Sequence, residues 1–177
     1  MNDKLTVINH LLYEHRVISQ FLETLRNARM EQEISFMKIT RERDLPKLRQ
    51  IVEKQYNLLQ SLISLTDGLG DHCRREETEL PFPPGTLVTK ALGIEHRRLH
   101  SELARIRVLL TGREFNTLSW DEVMANGYEL GYAIERICDM IEAHSNKEDA
   151  LYGLLKTALE NETTESATQE ASPARTS

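Results

Sequence analysis

The stretch Leu130–Leu155, LGYAIERICDMIEAHSNKEDALYGLL, decides the fold. Leu130, Ile134, Ile137, Ile141, His144, Glu148, Leu151 and Leu155 recur at alternating steps of four and three. Such steps keep side chains on one stripe of a helix, and they are the spacing of helices packed in a left-handed bundle. Ser119-Trp120-Asp121-Glu122 marks where this helix opens, since Ser followed three residues later by Glu is a capping box that satisfies orphan backbone donors.

Working outward, three more segments carry the same periodicity. Ile8, Leu11, His15, Ile18, Leu22 and Leu25 form a stripe on a first helix running from about Lys4 into the thirties. A polar connector at Thr40–Leu45 leads to Pro46, which suits a first helical turn because its missing N–H is an orphan there anyway. The second stripe reads Leu58, Leu62, Leu65, Leu69, His72, Glu76 and Leu80, and it runs through Gly68 and Gly70. Pro81-Phe82-Pro83-Pro84-Gly85 ends that helix. The third, Thr86–Leu110, aligns Leu92, His96, Leu99, Leu103, Ile106 and Leu110 and stops before Gly112. The expectation is all-α: an antiparallel four-helix bundle over residues 1–160, then a disordered tail over 161–177 with little to bury.

Composition agrees with a single helical domain of 177 residues, for Gly and Pro number only 8 and 5. A net charge of −6 argues against nucleic acid as a partner, because phosphate neutralisation needs clustered cations. No apolar run approaches the roughly 20 residues of a membrane span, and the N-terminus lacks a signal-peptide pattern, so the expected location is cytoplasmic. Cys73 and Cys138 stand far apart without CxxC spacing and read as buried thiols. Glycines are too scattered for a phosphate loop or a dinucleotide fingerprint, and no nucleophile elbow is present.

The chemistry lies in what the stripes contain. Each helix places a histidine on its inner face: His15, His72, His96 and His144. Two add a carboxylate four residues later, at Glu76 and Glu148. Four residues along a helix turn the chain by about 40° and lift it by about 6 Å, so imidazole and carboxylate stand side by side. Buried carboxylates without countercharge are disfavoured, whereas two cations would hold them ionised and use both oxygens as bridges.

With these residues in place, the chain resembles the hemerythrin or HHE cation-binding family, four-helix bundles that hold a non-haem di-iron centre. The resemblance covers roughly Leu5–Leu155 and rests on LLYEHRVISQFLETL, DHCRREETELPF, GIEHRRLHSEL and EAHSNKEDALYGLL taken together. It implies two irons per chain, with Glu76 and Glu148 as bridges and the histidines as terminal ligands. His100, four residues after His96, recreates the HxxxH pair of the oxygen-carrying members and is included in the candidate metal set, with a partner outside the ligand set or a partly exposed side chain as its other reading. Asp149 fits the HxxxxD ending of those members, but it is turned about 100° from Glu148, and the echo of His72 and Glu76 favours Glu148. His10 lies off the stripe and reads as a surface or packing residue. Tyr13, Tyr56, Tyr128, Tyr132 and Tyr152 read mostly as interface or core aromatics, although Tyr152, one turn beyond Glu148, could hydrogen-bond a ligand.

Histidine and carboxylate donors suit iron and differ from a closed thiolate zinc site. The function expected is binding or sensing of a small reactive ligand, dioxygen, nitric oxide or peroxide. Five histidines would leave one iron full and one open, as in an oxygen carrier. Four would leave both with free positions, favouring nitric oxide binding, iron delivery or redox chemistry, as the likeness to iron–sulfur repair and iron-sensing HHE proteins implies. Enzymatic turnover, peroxide decomposition or nitric oxide reduction, is the alternative. A metal-free interaction module would leave the buried histidines and carboxylates unexplained.

Overall fold

The computed structural model describes residues 3–42, 45–80, 82, 85–111 and 119–170. They form α1 (Asp3–Glu42), α2 (Leu45–Glu79), α3 (Leu87–Thr111) and α4 (Trp120–Glu170), with no strand among the described residues. Cross-helix pairs set the directions. His15 meets Asp149 while Arg26 meets Asp139, so α1 and α4 run antiparallel. Ser35 pairs with Lys54 and Glu14 with Arg75, Glu77 with His96 and Asp67 with Arg107, and Glu95 with Lys147 and Glu102 with Arg136. Each sequential pair is therefore antiparallel, and α1 and α4 close the ring, giving the expected four-helix bundle.

The boundaries have local causes. α1 runs through Glu42, past the expected connector, because Arg41-Glu42 are good helix formers and no breaker precedes Pro46. Arg43 and Asp44 lie outside the described residues, as do Pro81, Pro83, Pro84 and the stop signal at Gly112. Gly85 adopts φ 83°, a left-handed conformation that costs glycine nothing, and Thr86 Oγ1 then accepts from the Thr89 amide at 3.3 Å to cap α3. The capping box of α4 forms in both directions: the Ser119 amide donates to Glu122 Oε2 at 2.7 Å and the Glu122 amide to Ser119 Oγ at 3.4 Å. At its other end α4 remains helical to Glu170, where a disordered tail from residue 161 was expected. Residues 161–164 are exposed, as their composition demands, but nothing before Pro173 breaks a helix already propagating. Residues 171–177 of the expected tail lie outside the described residues.

Three apolar clusters stack along the bundle. Phe36, Ile39, Ile51 and Val123 fill one end. Leucines and isoleucines from all four helices, among them Leu22, Leu62, Leu103 and Ile134, fill the middle, where Cys73 and Cys138 are also buried. Ile8, Leu11 and Tyr152 fill the other end. At Gly127 the helices approach so closely that a Cβ would sit 2.3 Å from Phe36 and 2.8 Å from Gln55. Tyr13, Tyr56, Tyr128 and Tyr132 face solvent, so only Tyr152 among the tyrosines enters the core. No helix among the described residues is long and apolar enough to cross a membrane.

Candidate metal centre

A polar layer separates the middle cluster from the one containing Tyr152. On α1, His15 follows Leu11 and precedes Leu22; on α4, His144 and Glu148 lie between Ile141 and Tyr152. The heptad-like stripe thus carries these side chains inward with the leucines. His15, His72, Glu76, His96, His144 and Glu148 are all at most 5% exposed.

Inside the layer, the two carboxylates divide their oxygens between two pairs of histidines. Glu76 Oε1 lies 3.3 Å from His15 Nε2 and 3.2 Å from His72 Nε2, whereas its Oε2 lies 3.2 Å from His96 Nε2. Glu148 Oε2 lies 3.4 Å from His15 Nε2, and its Oε1 lies 3.2 Å from His144 Nε2 and 3.4 Å from His96 Nε2. Two groups able to hold a metal ion result: His15, His72, Glu76 and Glu148 form one, and Cys73, Glu76, His96 and His144 the other. Within each, the potential donor atoms lie no more than 4.8 Å apart.

Outside the layer, every one of these histidines has its other ring nitrogen on a carboxylate. His15 Nδ1 donates to Asp149 at 2.6 Å, His72 Nδ1 to Glu14 at 2.8 Å, His96 Nδ1 to Glu77 at 2.8 Å and His144 Nδ1 to Glu95 at 3.0 Å. The supports follow a circuit: α1 supports α2, α2 supports α3, α3 supports α4, and α4 returns to α1. Glu14 is itself held by Arg75, and Glu95 by Lys147. Since a carboxylate only accepts, Nδ1 carries the hydrogen and each Nε2 presents either a lone pair or a second proton to the centre. Metal-binding histidines are oriented in this way, which also raises their basicity.

The surrounding carboxylates favour protons on these nitrogens. Burial pulls the His15 imidazolium pKa down, but hydrogen bonds to Glu148, Glu76 and Asp149 outweigh it and carry it up to about 10. For His96 burial is likewise overcome, by Cys73, Glu148 and Glu76, and the value reaches about 12. His72 and His144 shift upward against burial as well. Burial would raise the Glu76 pKa, but hydrogen bonds to His15, His72 and His96 hold it well below the usual carboxylate range. Even so, Glu76 Oε2, Glu148 Oε2 and His144 Nε2 are buried and complete no well-aligned hydrogen bond, although their histidine or carboxylate neighbours stand 3.2–3.4 Å away. Unsatisfied buried groups cost about 1–3 kcal/mol each, a penalty that inner-sphere binding to a cation removes. The donors present, imidazole nitrogen, carboxylate oxygen and the Cys73 sulfur, fit iron and similar transition metals.

Six of the seven sequence-derived metal residues converge; His100 does not join them. It is exposed, with Cε1 3.5 Å from where a Cβ on Gly70 would lie, and it belongs to neither group. One turn of rise carries it beyond the polar layer to the level where Leu99 and Leu103 occupy the interior. His10 is also exposed and pairs with Glu14 at 3.2 Å. Asp149 is half exposed and supports His15, while Glu148 points inward.

Sequence reasoning missed Glu14, Glu77, Glu95 and the placement of Cys73. A signal for the acids exists: each helix carries one beside an inward residue, in Glu14-His15, Glu76-Glu77, Glu95-His96 and Glu148-Asp149. A step of about 100° turns that neighbour from the bundle axis towards the adjoining helix. Tyr152, left open by the sequence, donates its hydroxyl to Glu76 Oε1 at 2.7 Å and stacks on His15. No protein-family model, curated protein or solved structure matches the chain.

Proposed function

We propose that this protein is a hemerythrin-like, HHE-type non-haem di-iron protein whose centre binds or senses a small reactive molecule: dioxygen, nitric oxide or peroxide. The observation that carries the reading is the division of Glu76 and Glu148 oxygens between the pairs His15/His72 and His96/His144. Those six residues would hold the irons, with the two glutamates as bridges. Iron held there would supply a site for small-molecule binding and electron transfer. The exposure of His100 favours the four-histidine set, hence nitric oxide binding, iron delivery or redox chemistry over oxygen carriage. A largely apolar groove of about 390 Å³ between α1 and α2 reaches His72 and offers an approach for a small uncharged molecule.

Tyr152 favours a second reading, turnover of peroxide or nitric oxide. Its buried hydroxyl donates directly to Glu76, which sets a transferable proton beside the proposed bridge. Burial and the negative charges of Glu76 and Glu148 push its pKa upward, which keeps the hydroxyl protonated.

Anaerobic reconstitution followed by iron analysis and Mössbauer spectroscopy tests the centre, and two coupled irons per chain are expected. Protein that retains no iron would overturn both readings. Steady-state consumption of peroxide or nitric oxide distinguishes turnover from stoichiometric binding.

A further inference from the structure

We propose that Cys73 supplies a thiolate donor to the cation held by His96, His144 and Glu76, so that the two cation positions have unlike donor sets. This deepens the two-cation reading above and rests on it. Cys73 precedes Glu76 by three residues on α2, a spacing that puts both side chains on one face. Its Sγ lies within 4.8 Å of a Glu76 oxygen and of ring nitrogens of His96 and His144, and all four residues are buried. The histidine side of this position contains an independent sign of a missing partner. His144 is 5% exposed, and its Nε2, which faces the group 3.2 Å from Glu148 Oε1, completes no well-aligned hydrogen bond.

The other position has no sulfur. His15 and His72 face Glu76 and Glu148 there, a set of nitrogen and oxygen donors alone. Cys138 provides an internal comparison: it is equally buried in the middle cluster, yet it belongs to neither group. Packing alone accounts for Cys138. At Cys73 the sulfur faces two imidazoles and a carboxylate, a company in which a thiol functions as a ligand.

Coordination involves no change of oxidation state. The Cys73 S–H bond breaks, its proton passes to solvent buffer, and a sulfur–metal bond forms with the electron pair left on sulfur. A soft donor at one position selects for transition metals over magnesium or calcium there. The two metals then become spectroscopically distinguishable.

The test uses the full chain loaded anaerobically with zinc and, separately, with cobalt(II). Zinc X-ray absorption should show a sulfur shell at about 2.3 Å beside the nitrogen and oxygen shell. Cobalt-loaded protein should show a thiolate-to-cobalt charge-transfer band. Cys138→Ser should preserve both signatures, and Cys73→Ser should abolish them while still binding metal. Two bound metals without sulfur ligation would overturn the role of Cys73 and leave the two-cation reading intact. Failure to bind either metal would overturn that reading, and the inference with it. If Cys73→Ser does not fold, the wild-type and Cys138→Ser spectra still decide, because the chain contains only these two cysteines.

Discussion

Asp149 Oδ1 accepts a hydrogen bond from His15 Nδ1 at 2.6 Å, while the adjacent Glu148 turns its oxygens towards Nε2 of His15, His96 and His144. Neighbouring carboxylates thus do different work. Glu148→Ala is expected to abolish paired metal binding. Asp149→Ala should retain the pair with roughly 10–100-fold weaker affinity, since it removes only the orientation of His15. Metal stoichiometry and competition with a chelator measure the difference; equal losses in the two variants would contradict these assignments.

Glu76→Ala should be more damaging to metal content than His15→Ala, because Glu76 faces three of the histidines and His15 serves one position. His100→Ala should leave the stoichiometry unchanged. Elemental analysis of the three variants checks the order, and loss of one metal from His100→Ala would return that residue to the ligand set.

Metal-free protein should lose stability as pH rises. The His15 pKa is raised from 6.5 to about 10 in the folded chain. Its protonation therefore contributes fully below pH 6.5, and that contribution disappears as pH climbs through about 10. His96, raised to about 12, extends the same trend upward. Thermal melts between pH 6 and 10 should show a falling Tm without metal and a flatter profile with it, as bound cations replace the protons.

Gly127→Ala sets helix propensity against space. Alanine gains about 1 kcal/mol in a helix interior. Its Cβ would nevertheless lie 2.3 Å from the buried Phe36 ring, and overpacking of this kind costs about 1–3 kcal/mol. A lower midpoint in chemical denaturation is expected, with metal stoichiometry retained because Gly127 lies by the apolar end away from the polar layer.

Removing the chain after Asn161 should alter neither metal content nor Tm measurably, as residues 162–164 are exposed. A marked drop in Tm would show that the last turns of α4 contribute to the bundle.

Periodicity made the fold and the inward residues legible, because apolar stripes and the polar residues interrupting them obey the same helical arithmetic. His15, His72, His96 and His144 could be placed on inner faces without knowing any contact. His100 could not be resolved, since a four-residue step turns a side chain by about 40°, which keeps Glu76 and Glu148 inward after His72 and His144 yet leaves His100 exposed beside the inward Leu99. Glu14, Glu77 and Glu95 were hidden for a different reason: they sit beside the stripe, where an acid that bonds the next helix has the same sequence appearance as one bonding water. Cys73 belongs to the apolar cluster and borders the polar layer at once, and hydropathy records only the first of these roles.

The circuit of outer carboxylates also acts as a vernier. Layers of leucine and isoleucine tolerate axial slippage, as one aliphatic side chain substitutes readily for another. A link of 2.6–3.0 Å between a ring nitrogen and a carboxylate does not. Because each helix gives one such link to a neighbour and receives one from another, sliding any single helix by one residue, about 1.5 Å, strains two links at different interfaces. The bundle therefore carries its own gauge of alignment, which sets the relative height of all four helices through protein groups alone.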